Sequence, residues 1–158
     1  MLGSMTTTEH DYATLARQAI EIVCAGDLSR MEEFYRPDFV DRINDMTFHG
    51  YDGGRESVAF YMTMFNNLRM GTEEQLTEGD RVASRWFLHG TYHGRPITLR
   101  GITISRFAQD GRIVEDQGHS DSISLVRQLG VLRTLILGLE ILTRRVKLPK
   151  AALGASQV

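Results

Sequence analysis

The spacing of apolar residues changes about midway along the chain, from a helical period to alternation, and this change restricts the possible folds most. Upstream, apolar side chains recur every three to four positions, which predicts amphipathic helices over residues 12–25, 28–36 and 55–68. Downstream, alternating runs are separated by turn pairs such as His93-Gly94 and Asp110-Gly111, which are typical of β-hairpins. The pattern therefore predicts helices followed by an antiparallel meander.

The order of the predicted elements indicates an α+β fold. Strands are predicted at residues 39–43, 74–77, 81–92, 97–108 and 112–120, with residues 50–54 as a loop. Helical spacing returns at residues 122–129 and, after Gly130, at residues 131–146. We expect a curved antiparallel sheet wrapped around the N-terminal helices as a cone, with an extra C-terminal helix. Such a cone leaves a cavity suited to a small apolar ligand.

Composition narrows the class of protein further. A length of 158 residues suits one core domain, and the only cysteine, Cys24, excludes an intramolecular disulfide framework and a cysteine-based zinc site. The net charge of −2 excludes a globally basic nucleic-acid binder. Because no stretch is apolar enough to span a membrane and the polar start resembles no secretory signal, we expect a cytoplasmic protein.

The chain is expected to divide into four parts. These are a cloning remnant with a flexible start (1–7), the cone domain (8–130), an appended amphipathic helix (131–148) and a flexible tail (149–158). Residues 122–158 hold six basic residues and one acidic residue. The apolar stripe of the appended helix, Val131, Leu135, Leu139 and Leu142, is expected to pack on the cone or on a second subunit of a homodimer. The alternative is contact of residues 131–150 with an anionic membrane surface.

Several short strings, taken in order, resemble the SnoaL-like polyketide cyclase family. They are Ala25-Gly26-Asp27, Arg36-Pro37-Asp38, Gly79-Asp80-Arg81-Val82, Gly90-Thr91-Tyr92-His93-Gly94, Arg106-Phe107, residues 110–115 and residues 121–130. The resemblance covers about residues 12–130 and implies the cone-shaped fold shared with ketosteroid isomerase, scytalone dehydratase and nuclear transport factor two. It also implies a carboxylate that acts as acid/base in ring-closing carbon–carbon bond formation.

The chain departs from the family pattern at the catalytic position that the resemblance implies. In the family the last strand typically runs Glu-His-Trp-Asp, with the final Asp as acid/base, and the aligned residues here are Glu115, Asp116, Gln117 and Gly118. Gly118 has no side chain, so the family mechanism is not transferred. Because alternate residues of a strand share a face, Asp116 faces the cavity if Gly118 does. Asp116 is therefore the first candidate acid/base.

Other polar and aromatic residues are further candidates. His119 would turn inward if Gly118 introduces a bulge, and would otherwise be exposed at the strand end. Asp41 and Asn44 could orient a ligand or form a turn at the end of the first strand. The remaining candidates would line the pocket: Tyr12, Tyr61, Arg85, Trp86 and Arg106. The alternative is core packing for the aromatic residues and an ion pair with Asp116 for the arginines. Asp121 is interpreted as the N-cap of the next helix.

Neither a metal nor a cofactor is predicted, because His89 and His93 flank a strand end and no glycine pattern for a nucleotide occurs. We expect cofactor-free acid/base cyclisation, isomerisation or hydration of a small apolar polyketide-like or terpenoid substrate. Gly118 favours an alternative, a ligand-binding or assembly domain without catalysis. Asp41, Arg85 and Asp116 would also suit epoxide hydrolysis, in which one carboxylate activates water and another acid protonates the opening oxygen.

Overall fold

The computed structural model describes residues 11–143, which form helices packed against one six-stranded sheet. In chain order the elements are α1 (Tyr12–Ala25), α2 (Met31–Phe34), β1 (Tyr35–Ile43), β2 (Met46–His49), α3 (Gly50–Met64), β3 (Asn66–Glu78), β4 (Arg81–Tyr92), β5 (Arg95–Phe107), β6 (Ile113–Ser120) and α4 (Ser122–Leu142). The predicted α+β class is confirmed. No described helix is both long and apolar enough to cross a membrane.

The sheet is curved and unclosed, with the strand order β2-β1-β6-β5-β4-β3. Strands β3 to β6 form the predicted antiparallel meander. The sequence pattern did not indicate that β1 lies beside β6 and runs parallel to it, or that β2 extends the sheet beyond β1. This parallel pair brings the first strand next to the last one, and it thereby places Asp41 opposite Asp116.

Helix α1 begins and ends where the local chemistry requires. The carboxylate of Asp11 caps it by accepting from the backbone N–H of Thr14 at 3.1 Å, and Gly26 ends it in the left-handed conformation with φ of 68°. Ala16 and Ala19 are buried on its inner face. Small residues there allow the helix to pack closely against the sheet.

Several predicted boundaries in the first half of the chain are wrong. The helix predicted over residues 55–68 ends at Met64, and the strand predicted from residue 74 already begins at Asn66. The helix predicted to reach residue 36 ends at Phe34, because the residues before Pro37 favour extended backbone, and Tyr35 already belongs to β1. The predicted loop at residues 50–54 is the first turn of α3. Its glycines serve close packing, since a Cβ on Gly54 would lie 2.7 Å from the terminal methyl of Met31.

The core consists of two apolar clusters. The first includes Ala16, Met31, Phe39 and Ile113, where α1 and α2 meet β1 and β6. The second lies farther along the sheet and is built around the buried side chains Phe65, Trp86, Leu88, Tyr92, Ile97, Leu99 and Leu129. Residues of both clusters line the same cavity, which therefore lies between them.

Helix α4 kinks at Gly130, as the sequence predicted, where φ is 72° and ψ is 169°. Asp121 caps its start by accepting from the N–H of Ser124 at 2.9 Å, which confirms the predicted N-cap. The predicted apolar stripe of the second half does not pack on the cone, because Leu137 and Ile141 face the second cluster instead. The parts predicted at residues 1–7 and 149–158, and the appended helix beyond residue 143, lie outside the described residues.

Candidate functional site

A cavity of about 140 Å³ lies between α1, α3 and the inner face of the sheet. Its wall is mainly apolar, with contributions such as Ile20, Val58 and Leu88. Met62 lines the cavity and is 51% exposed, so it lies at the mouth. Among the described residues that line the cavity, the ionisable side chains are two aspartates and two tyrosines.

The two aspartates are Asp41 and Asp116, the candidates predicted from the sequence. They are register partners on the parallel strands β1 and β6, and Ser105 of β5 is the next partner in the same row. Since neighbouring strands lie roughly 4.8 Å apart, the three side chains are adjacent on the inner face. The structure therefore brings together two carboxyl groups that are 75 positions apart in the sequence.

Burial favours the protonated form of both carboxyl groups. The pKa of Asp41 is raised to about 8, mainly by burial and also by the negative charge of Asp116, while the hydroxyl of Ser57 lowers it. Burial also raises the pKa of Asp116, to about 6, against the lowering effect of hydrogen bonds from Ser105 and Tyr35. Because the two groups interact, the charge on one affects the other, and the pair holds one proton near neutral pH.

Two tyrosines complete the polar part of the cavity. Tyr35 lies against Asp116, and burial together with this carboxylate raises the pKa of its hydroxyl well above the ordinary value. Burial and the charge of Asp41 raise the pKa of Tyr61 to about 12, although its hydrogen bond with Ser120 lowers it. Both hydroxyls therefore stay protonated at neutral pH and can donate hydrogen bonds.

One oxygen of Asp116 is available for a ligand. Asp116 is 8% exposed, and its Oδ1 has no hydrogen-bond partner among the described residues. A buried carboxylate oxygen without a partner is costly in a folded protein, and such atoms are often found where a ligand supplies the missing contact.

Gly118 lines the cavity two residues beyond Asp116, so the two share the inner face as predicted. A Cβ at Gly118 would lie 3.2 Å from Oγ1 of Thr103, and this hydroxyl accepts a hydrogen bond from Nε1 of Trp86 at 2.9 Å. Trp86 is thus a cavity wall with a satisfied indole N–H, as the sequence suggested. At the position that the resemblance aligns with the family's acid/base, a Cβ would therefore crowd the hydroxyl of Thr103.

The two arginine candidates do not reach the cavity. Arg85 alternates with the buried residues of β4 and pairs outside the sheet with Glu73 and Glu74, each at 3.2 Å. Arg106 pairs with Glu115 at 3.1 Å on the same outer face, where Arg42 also contacts Glu115. Both predictions are wrong because the period of two in these strands directs the arginines away from Asp116.

Three other candidates also lie outside the cavity. His119 is exposed on the outer face opposite Ile102, because the pairing of β5 with β6 continues through Gly118 without a bulge. Tyr12 stacks on Phe107, with 4.7 Å between ring centroids, and is part of the first apolar cluster. Asn44 joins the ends of β1 and β6, donating to Oγ of Ser120 at 3.0 Å and accepting from its N–H at 3.1 Å.

The sequence analysis missed four polar residues of the site: Tyr35, Ser57, Thr103 and Ser105. Tyr35 falls within the helix predicted over residues 28–36, whereas in the structure it belongs to β1. Ser57 lies on α3 at a buried position. Thr103 and Ser105 follow Ile97 and Leu99 on the inward face of β5, and two hydroxyls on an otherwise apolar face were a signal that could have been used.

Possible metal ligands are scattered over the described residues. Within residues 11–143 no group of three or more His, Cys, Asp or Glu side chains could hold a metal ion. His89 contacts Oγ1 of Thr98 at 2.8 Å, and His93 contacts Glu140 at 2.8 Å. The cavity residues that can act chemically are therefore carboxyl and hydroxyl groups of the chain.

Comparisons with known proteins agree with this geometry. Of the solved structures, IdmH from Streptomyces antibioticus, a candidate polyketide cyclase, is 26% identical with a TM-score of 0.70, and the match covers 77% of this chain and 100% of IdmH. TsrD from Streptomyces laurentii is 21% identical with a TM-score of 0.67, covering 77% of this chain and 98% of TsrD. A search of curated proteins finds no match.

The match to a family profile covers far more of the chain than any of the short strings named in the sequence analysis. The sequence profile of the SnoaL-like polyketide cyclases matches residues 13–129, which include all the strands and the residues that line the cavity. The chain belongs to the SnoaL-like polyketide cyclase family.

Proposed function

We propose that this protein is a cofactor-free acid/base enzyme of the cyclase, isomerase or hydratase type that acts on a small, largely apolar carbonyl compound. The observation that carries the proposal is the pair formed by Asp41 and Asp116 inside an apolar cavity. Family membership and the likeness to IdmH, a candidate polyketide cyclase, support the reaction class.

The pair can take up one proton and deliver another in the same site. Asp116, with the lower pKa, acts as the carboxylate that removes a proton from the carbon next to the carbonyl group. Asp41, with the higher pKa, is the acid that donates a proton to the developing oxyanion. The hydroxyls of Tyr35 and Tyr61 line the same cavity and are further hydrogen-bond donors there.

The size of the cavity limits the part of the substrate that is enclosed. Its volume of about 140 Å³ is comparable with an engineered cavity of roughly 150 Å³ that binds benzene. One six-membered ring therefore fits between the carboxyl groups and the mouth at Met62. A longer substrate would extend past Met62 into solvent.

Isomerisation of 3-cyclohexen-1-one to its conjugated isomer tests this proposal, because it needs only proton transfer next to a carbonyl in a single ring. Ultraviolet absorbance follows the product. We expect turnover above the buffer rate, and a loss of about 100-fold or more in Asp116→Asn. Asp41→Asn should also lose activity, whereas Asp45→Asn, which changes an exposed carboxylate in the β1–β2 turn, should not.

Two results would favour the alternatives. Binding of the ketone without turnover would identify a ligand-binding domain without catalysis. Hydrolysis of cyclohexene oxide to its diol, lost in both cavity variants, would identify an epoxide hydrolase. An epoxide hydrolase would use the same two carboxyl groups. The predicted arginine is missing from the cavity, because Arg85 is paired on the outer face of the sheet.

A further inference from the structure

The outer face of α4 after its kink is entirely aliphatic. Within residues 131–142, the residues classed as exposed are Val131, Leu132, Leu135, Leu139 and Leu142, each between 60% and 81% exposed. At 100° per residue these five side chains fall within an arc of about 100°. Exposed aliphatic residues that adjoin one another on one face mark an interaction surface.

Contacts on the opposite side hold this face outward. Leu137 and Ile141 pack against the second apolar cluster. Glu140 accepts from the hydroxyl of Tyr92 at 2.8 Å and contacts Nε2 of His93 at 2.8 Å. Because these contacts fix the rotation of the helix, the aliphatic face cannot turn into the cone without breaking them.

The charged residues in the sequence of this helix and of the segment after it are almost all basic. Residues 122–158 hold Arg127, Arg133, Arg144, Arg145, Lys147 and Lys150 against a single acidic residue. That acidic residue is Glu140, whose carboxylate is engaged by Tyr92 and His93. A second copy docked through the same face would bring two basic segments together, which costs free energy, whereas an anionic surface complements them.

We propose that the aliphatic face of α4 and the basic residues that flank it in sequence dock this protein on anionic lipid bilayers. The aliphatic side chains enter the boundary between headgroups and acyl chains, and the basic side chains contact the phosphate groups. This docking does not depend on the reaction proposed above. It would place the protein where apolar compounds concentrate.

Co-sedimentation of the full chain with lipid vesicles tests the proposal. We expect the protein to sediment with vesicles of phosphatidylcholine and phosphatidylglycerol, to bind vesicles of phosphatidylcholine alone much more weakly, and to lose affinity as salt is added. The double variant Leu135→Gln/Leu139→Gln should bind about tenfold more weakly. Leu76→Gln, which changes a leucine 70% exposed on β3, is the matched control and should bind as the unchanged protein does.

We expect both variants to fold, because the altered side chains lie in solvent, and circular dichroism checks this. Equal binding to neutral and anionic vesicles, or binding to neither, would overturn the proposal. So would unchanged binding by the double variant. Light scattering on the same samples measures the oligomeric state and so tests whether a second copy binds this face instead. A dimer that the double variant converts to a monomer would show that a second copy occupies it.

Discussion

Asp41 and Asp116 lie side by side on the inner face of the sheet, where each carboxyl group has lost most of its contact with water. Their pKa values are raised mainly by burial, and the raised pKa of Asp41 also reflects the charge of its neighbour. A residue pair of this kind is unfavourable for stability at the pH where both groups would ionise. Its presence in the cavity supports the proposed acid/base role.

The stability of the protein should therefore depend on Asp41 in a pH-dependent way. Its pKa is about 8 in the folded state and near 3.9 in the unfolded chain, so the folded state holds more protons between these values. Stability should fall as pH rises from about 4 to about 8. Asp41→Asn removes this effect and should raise the free energy of unfolding at pH 9 by at least about 1 kcal/mol, or about 2–4 °C in Tm.

Thermal unfolding at pH 5 and pH 9 measures the difference. The gain in Asp41→Asn should shrink at pH 5, where Asp41 is protonated in the folded state. Asp45→Asn, at an exposed position, should show no such pH dependence. A gain that is the same at both pH values would mean that Asp41 is ionised in the folded protein.

At the scale of elements, the polar side chain of Glu140 joins the second half of α4 to the hairpin of β4 and β5. Glu140 is 18% exposed in its side chain and accepts from Tyr92 while contacting His93. This carboxylate raises the pKa of Tyr92, after the larger effect of desolvation. A charge-assisted hydrogen bond of this kind fastens the second half of the helix to the sheet.

Removal of this contact should loosen α4 selectively. Glu140→Ala should lower the free energy of unfolding by about 1–3 kcal/mol, because the buried hydroxyl of Tyr92 loses its acceptor. Hydrogen exchange should accelerate at residues 131–142 more than at β5. Glu21→Ala, which changes an exposed residue of α1, serves as the control, and equal exchange in α4 of both variants would show that apolar packing alone holds the helix.

The same elements show what the sequence could and could not predict. The meander of β3 to β6, the Asp121 cap and the Gly130 kink followed from local patterns, and the structure has all three. The parallel pairing of β1 with β6 could not be predicted, because pairing of strands far apart in sequence leaves no local signal. Residues 50–54 resembled a loop because glycines that serve close packing look the same in sequence as glycines that serve turns.

The candidate site was predictable to a similar extent. Strand alternation predicted that Asp116 shares a face with Gly118, and both line the cavity, as the candidate Trp86 also does. Alternation along β4 and β5 directs Arg85 and Arg106 outward in the structure. The sequence alone does not show which face of these strands is the inner one. The proximity of Tyr35 to Asp116 depends on the parallel strand pair and was therefore not foreseen.

The whole molecule combines the family cone with two departures from it. The position that the resemblance aligns with the family's acid/base is Gly118, and the carboxyl groups of the cavity come from Asp116 and from Asp41 on the neighbouring strand. The second departure is the aliphatic face of α4, beyond the part of the chain that the family profile matches. The first departure bears on the proposed reaction, and the second bears on the proposed docking to lipid.

The central claim is that Asp41 and Asp116 share one proton inside the cavity near neutral pH. Titration of the carboxyl carbons by NMR, with ¹³C-labelled aspartate and assignment through Asp41→Asn and Asp116→Asn, measures this directly. We predict that Asp116 titrates at about 6 and Asp41 at about 8, and that Asp116→Asn lowers the pKa of Asp41. Titration of both groups near the ordinary aspartate value of about 3.9 would contradict the account.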